Sequence, residues 1–307
     1  KSFNAVYMHG FINDAQGRKM SKSLGNYILP QEVIMDYGAD TFRYYMIGGA
    51  SPGIDINYNF DDMKVKAKNL TVLWNLHKYV VDMAKNLKVN PADLRFSREK
   101  LDVEEIYIFS KLNSTIKTVT ELFDGYRINE IPWKVEDLFL ELSRTYIQLI
   151  RDKSSVGSED EKKFVLYAIF NVLIESLKLF APVVPFVTEK MYQNLKHEFK
   201  LKDEGVHFLD WPKYRQELID EELEANMQII SDIVQSALAA REKVHLGIRW
   251  PLKEIVVVTK DANAAKAVDA LKNIIKKQIS VKDVKVSESM PNLKFSLKAD
   301  YSKLGPA

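Results

Sequence analysis

The run Lys19-Met20-Ser21-Lys22-Ser23-Leu24-Gly25-Asn26 follows directly on Gly17-Arg18. Two lysines three apart alternate with two hydroxyls, and a Gly-Asn pair leads towards a helix that opens at Pro30. Such a stretch reads as a phosphate-gripping loop. Lysines supply mobile positive charge, hydroxyls and loop N–H groups add donors, and glycines let the backbone come close to a polyphosphate. The bland alternative is a solvated Lys/Ser turn that binds nothing, because short motifs recur by accident.

Working outward, Ala5 to Ile12 mixes β-branched and aromatic residues and predicts a strand, with turn chemistry over Asn13-Asp14-Ala15-Gln16-Gly17. Proline opens a short helix over Gln31 to Tyr37, Gly38 stops it, and Asp40 is placed to N-cap a second helix ending at Gly48-Gly49. Ser51 to Asn59 reads as a loop. From Phe60 to about Lys200 the pattern turns helical, with Met63, Leu70, Leu73, Trp74, Leu76, His77 and Val80 at spacings of three and four. Asp102 with Glu105 forms a candidate capping box for a helix to about Phe123, and Ser158 with Glu161 another for a helix to about Pro182. Between them a long helix is expected from Trp133 to about Arg151, then a polar turn over Lys153 to Ser158; Pro185 opens a last helix to about Phe199. Long amphipathic segments with short connections predict a helical bundle. After irregular residues from Lys202 to Tyr214, Asp220 caps a charged helix to about Val244. Beyond Trp250-Pro251, strands at Ile255 to Thr259, Val281 to Val286 and Leu293 to Leu297, with a helix over Ala262 to Lys277, predict a small α/β appendage.

Composition bounds the function. A net charge of +2 over 307 residues excludes a whole-chain polycation while leaving room for a local basic face. The absence of cysteine removes disulfides, thiolate metal sites and cysteine nucleophiles, and fits a reducing cytoplasm. The five histidines show no metal-ligand spacing, so no metal site is expected. No apolar run is long enough to cross a bilayer, and no signal-peptide pattern opens the chain. Lys1 falls inside a predicted strand and Leu304-Gly305-Pro306-Ala307 inside a loop, so the chain reads as a fragment of a longer protein.

The five residues Lys19 to Ser23 match the KMSKS signature of class I aminoacyl-tRNA synthetases at every position. The flanks His9-Gly10-Phe11 and Tyr37-Gly38-Ala39-Asp40-Thr41-Phe42-Arg43 resemble the subgroup for isoleucine, valine, leucine and methionine. Phe208-Leu209-Asp210-Trp211-Pro212 does so too, and the stretch from Asp220 to Leu252 looks most like the isoleucyl branch. The resemblance implies a mainly α chain in three parts. Residues 1–59 would be the C-terminal edge of a nucleotide-binding α/β domain with the signature loop, residues 60–200 an anticodon-binding helical bundle, and residues 201–307 a linker, charged helix and small α/β domain. It implies that the full-length enzyme forms isoleucyl-adenylate from ATP, with Mg2+, and charges the isoleucine tRNA. The amino-acid pocket and the editing domain would lie before Lys1, leaving the fragment inactive alone.

The implied site residues follow from these matches. Lys19 and Lys22 would meet the leaving pyrophosphate, Ser21, Ser23 and Asn26 would shape the loop, and Met20 would pack near the adenine or serve as plain core filler. His9 is read as structural or adenosine-proximal, and Asp40 and Arg43 as structural. Arg144, Gln148 and Arg151 stand at helical spacing on one expected face that suits phosphates and base edges, against the bland reading of a charged solvent face. Trp133 would stack on an unpaired base or sit in the core. Arg249 would lie near the tRNA or at a domain joint, and Trp211 is read as a packing anchor. The competing readings are a valyl, leucyl or methionyl enzyme, a non-catalytic tRNA-binding module, and an ATP-binding scaffold. The last lacks a Gly-rich Walker loop.

Overall fold

The computed structural model describes residues 2–3 and 6–290. The strand expected over Leu293 to Leu297 lies outside these residues. The chain divides into two compact units, 1–224 and 225–307.

In the first unit β1 (Ile12–Asn13) pairs in parallel with β2 (Ile56–Asn57), and α1 (Pro30–Tyr37) and α2 (Ala39–Gly48) lie between them in sequence. Of the predicted strand, the described residues 6–12 contribute only Ile12 to β1, and the predicted loop from Ser51 contains a strand. Gly10 is fixed here by space, since a Cβ would meet the Ile54 carbonyl oxygen at 2.3 Å.

The bundle comprises α3 (Phe60–Leu87), α4 (Val103–Asp124), α5 (Ile131–Glu141), two short helices α6 (Ile147–Leu149) and α7 (Arg151–Val156), α8 (Glu159–Phe180) and α9 (Pro185–Phe199). Helix α8 is its axis. Val165, Ile169, Leu173, Leu177 and Phe180 are buried, and so are Leu166, Ala168, Val172 and Leu179 on its other sides. A helix apolar all round must be surrounded, and α3, α4, α5 and α9 all pack on it. Its start is the expected capping box: Ser158 Oγ accepts from the Glu161 N–H at 3.2 Å and Glu161 accepts from the Ser158 N–H at 2.7 Å.

The other expected capping box does not form. Asp102 precedes α4 without a side-chain cap. Instead Asp102, Glu104 and Glu105 converge on the Lys153 ammonium at 2.8, 3.0 and 3.0 Å, and Glu105 also accepts from the Tyr146 hydroxyl at 2.9 Å. Asp102 and Glu105 each take the Lys153 ammonium in place of a backbone N–H, and Glu105 gains the Tyr146 hydroxyl besides. Lys153, predicted in a polar turn, is thus buried in α7. Burial lowers its pKa, but the surrounding carboxylates outweigh this and hold it above the ordinary lysine range.

The long helix expected from Trp133 to Arg151 starts at Ile131 and is interrupted twice. Leu142–Tyr146 forms a π turn, and Ile150 leaves helical geometry at φ −93°, ψ 7°. Tyr146, fully buried and held by Glu105, fixes the π turn from inside.

Helix α10 (Glu221–Lys243) begins in the first unit, where the Asp220 carboxylate accepts from the Leu223 N–H at 2.9 Å. The second unit contains β3 (Leu252–Val258), α11 (Ala262–Ala270), α12 (Lys272–Ile279) and β4 (Val281–Ser287). The strands pair in parallel with Leu252 opposite Val281 and Val258 opposite Ser287. The single helix predicted across the connection is broken at Leu271, and both halves bury residues, Ala267 and Val268 before it and Ile274, Ile275 and Ile279 after it.

Replacing Lys153 by Met should lower the unfolding free energy by about 3–5 kcal/mol, because buried carboxylates lose their counter-ion. Lys163→Met, which breaks exposed pairs with Glu159 and Asp160, should cost under about 1 kcal/mol. Urea titration of both variants reads this difference, and equal midpoints would contradict it.

Candidate functional site: the signature loop and the exposed helical faces

The loop is built around an aspartate. Asp14, buried behind β1, receives five donors on its carboxylate. The N–H groups of Gln16 and Arg18 reach Oδ1 at 3.0 and 2.8 Å, and Arg18 Nε, Arg18 Nη2 and Asn26 Nδ2 reach Oδ2 at 2.8, 2.8 and 2.9 Å. Hydrogen bonding, with the Asn26 amide foremost, holds Asp14 down at about 2 against burial, which raises it. Asn26 also donates to the Lys19 carbonyl at 3.2 Å and accepts from the Ser21 N–H at 2.9 Å. Ser21 Oγ then accepts from the Leu24 N–H, capping a 3-10 turn over Lys22–Leu24 that Gly25 closes at φ 64°.

Lys19, Lys22 and Ser23 are exposed on this loop, and Ser21 is half-buried. Lys19 lies 5.7 Å from the centre of the Phe11 ring. Met20 is partly buried and packs on a small core of Val33, Tyr45, Tyr58 and Met63. The sequence had marked Asp14 as turn chemistry alone. His9 is exposed and its Nδ1 contacts the Gly10 carbonyl at 2.8 Å.

Asp40 does not cap its own helix, whose N-cap is Gly38. Its carboxylate accepts from the N–H groups of Phe186 and Val187 at 3.4 and 2.5 Å, and so caps α9, which has no side-chain cap of its own. One turn on, Arg43 donates from Nε to the Val183 carbonyl and from Nη2 to the Pro182 carbonyl, both at 2.9 Å.

Beside this joint lies a buried ionic cluster. Lys66 Nζ meets Glu136 Oε2 at 2.7 Å, and the Tyr44 hydroxyl donates to the same oxygen. The ammonium sits 3.7 Å from the centre of the Trp133 ring. Trp133 is half-exposed, and its Nε1 donates to the Gly48 carbonyl at 3.1 Å. It is therefore neither core nor free surface. Burial first, and Asp137 next, push Glu136 up to about 7, while burial draws Lys66 down to about 8.

Arg144, Gln148 and Arg151 are all exposed. The spacing that put them on one face assumed an unbroken α-helix. Arg144 lies within the π turn and Arg151 beyond the break at Ile150, so that spacing no longer fixes their directions. Arg249 is exposed in the turn before β3. Trp211 packs edge-on against Phe123 at 5.2 Å and donates to Thr120 Oγ1 at 2.9 Å, as expected of an anchor. Among the described residues no helix is long and apolar enough to cross a membrane.

Two sequence families match the chain. Residues 1–59 match tRNA synthetases class I (I, L, M and V), and residues 105–258 match the anticodon-binding domain of tRNA ligase. The isoleucine–tRNA ligases of Methanosarcina mazei and Pyrococcus abyssi are 35% and 36% identical to it over 312 and 314 residues, each covering 99% of this chain. The chain spans 30% and 28% of the length of these curated relatives. Among solved structures, the LeuRS–tRNA–LeuAMS ternary complex of Agrobacterium radiobacter K84 aligns at a TM-score of 0.52 and 20% identity, over 70% of this chain and 24% of that one. Methionyl-tRNA synthetase of Mycobacterium tuberculosis, in complex with methionyl-adenylate, aligns at 0.51 and 19%, over 67% and 42%. At these identities the two structures speak for the fold.

The Glu136 shift carries a pH signature. Its folded value lies above the ordinary 4.5, so folding takes up a proton between about 4.5 and 7. The stability it contributes is full below that window and is lost as the pH rises through about 7. Against a Glu136→Gln variant, the parent should lose stability across this window by up to about 1.4 kcal/mol per pH unit. Denaturant midpoints at pH 4.5, 5.5 and 7 test this, and a parent that gains stability over the window would contradict it.

Proposed function

This chain belongs to the family of class I tRNA ligases that carry an anticodon-binding domain, and on that premise we propose that it is part of an isoleucyl-tRNA synthetase. The observation that carries the reading is the exposed signature loop, organised by Asp14 and Asn26, in one compact unit with the helical bundle. Residues 1–59 are the edge of the catalytic domain, 60–200 the anticodon-binding bundle, and 201–307 a linker with a small α/β domain.

In adenylate transfer the amino-acid carboxylate attacks the α-phosphate of ATP, the bond to the bridging oxygen breaks, and pyrophosphate leaves with the electron pair. Negative charge grows on the leaving group, so the cations that help most are those that tighten there. Lys19 and Lys22 take that role, with Ser21 and Ser23 adding donors and Met20 packing near the adenine. Of residues 15–25 only Met20 packs on the small core, and none is fully buried, so the loop can shift at the cost of that one contact. The loop itself does not suit Mg2+. Asp14 is its sole carboxylate, and five donors already occupy it.

Arg144, Gln148, Arg151 and Arg249 are exposed planar polar groups that suit phosphates and base edges of tRNA. Trp133, with Lys66 against its ring, offers an unpaired base a stacking partner. A binding module without catalysis would have no use for two lysines on an unpacked loop, which favours the enzyme reading.

In the full-length protein, Lys22→Ala should raise the barrier to adenylate formation by about 3–4 kcal/mol and leave tRNA affinity unchanged; unaltered single-turnover kinetics would remove Lys22 from this role. Arg144→Ala and Arg151→Ala should each weaken binding of the isoleucine tRNA and reduce the slope of log K against log salt by about 1. An unchanged slope would return both to a plain solvent face.

A further inference from the structure

Asp14 and Asn26 stand twelve residues apart at the two ends of the signature loop and meet through the Asn26 amide at 2.9 Å. With Met20 the one residue from 15 to 25 packed on the small core and none of them buried, hydrogen bonds more than packing decide the loop's shape. Most of them lead back to this pair. Asn26 grips the backbone on both sides of Met20, through the Lys19 carbonyl and the Ser21 N–H. Ser21, so held, caps the 3-10 turn that begins with Lys22, and the Gly25 N–H closes that turn on the Lys22 carbonyl at 3.2 Å. Asp14 in turn holds the Gln16 and Arg18 N–H groups, which sets the approach to Lys19.

We propose that Asp14 and Asn26 form a latch that sets where Lys19 and Lys22 point, so that both are positioning residues for adenylate formation. This rests on the functional reading above. The latch has a polarity. A carboxylate at position 14 is acceptor-only and takes all five donors, whereas an asparagine there would turn an amide donor towards the Asn26 amide. Asp14→Asn therefore sets donor against donor, and Asn26→Asp sets carboxylate against carboxylate. Combined, the two changes restore one donor facing one acceptor with net charge unchanged. In the double variant the aspartate at 26 can still accept from the Ser21 N–H, while its contact with the Lys19 carbonyl and the Arg18 side chain's contact with position 14 are lost, which keeps the recovery short of complete.

The test is single-turnover adenylate formation and isoleucine-dependent ATP–pyrophosphate exchange by the full-length protein, with tRNA affinity measured in parallel. Each single variant should lower kcat roughly 100-fold, the scale of an ångström-sized misplacement of a reacting group, with the isoleucine KM and the tRNA affinity unchanged. The double variant should recover to within roughly tenfold of the parent. A residue that merely stabilised the fold would shift tRNA affinity as well and would not be rescued by the reciprocal change. Hydrogen exchange over residues 15–25 should rise in each single variant and fall again in the double. Single variants that keep the parent's rate, or a double variant no faster than the slower single, would overturn the latch. A parent protein without isoleucine-dependent exchange would overturn the functional reading and the latch with it.

Discussion

The grip of Asp40 and Arg43 on the turn between α8 and α9 sets where the signature loop stands on the helical bundle. A buried carboxylate is costly unless it is met by donors, and burial raises the pKa of Asp40. It is met by the free N–H groups at the start of α9, where the helix dipole also favours negative charge. Arg43 covers the carbonyls on the other side of the same turn. One helical turn of α2 thus satisfies both polarities of a chain reversal some 140 residues away, and the reversal in turn fixes α2. Directly behind it, Lys66, Glu136 and Tyr44 join α3, α5 and α2. The segment after the signature loop and the helical bundle are therefore linked by charged and hydrogen-bonded contacts, which are directional where apolar packing is not.

How much of this is visible in the chain depends on how local each interaction is. Ser158 with Glu161 and Asp102 with Glu105 carry the same spacing, yet only the first pair closes a capping box. The difference is Lys153, which lies about fifty residues from Asp102 in sequence. That same lysine, expected in a polar turn, is the one buried residue of α7. Asp40 looked like an ordinary N-cap because the helix it caps lies far along the chain. The bundle itself was readable, since long stretches with a period near 3.6 and short polar connections leave few alternatives.

The candidate site divides in the same way. Lys19 and Lys22 were legible because their chemistry is contiguous and their surroundings are backbone. Asp14 was not, because an aspartate in an Asn-Asp turn has a sufficient local explanation, and its five donors become countable only after the loop folds back to Asn26. Arg144, Gln148 and Arg151 were identified by type, but their common face relied on a helix that the buried Tyr146 interrupts.

That interruption works as a phase adjuster. An α-helix turns about 100° per residue, and the wide turn over Leu142–Tyr146 lets one more residue pass before the next hydrogen bond closes. Every position after it is thereby rotated by nearly a third of a revolution against the frame set by α5. Removing one residue from Ser143 to Thr145 would shorten the chain by a single unit and restore a regular helix. Because the wide turn already absorbs that residue, Gln148 and Lys153 would keep nearly their present bearings. A one-residue difference in length can thus be absorbed within Leu142–Tyr146 without moving Lys153 from its three carboxylates.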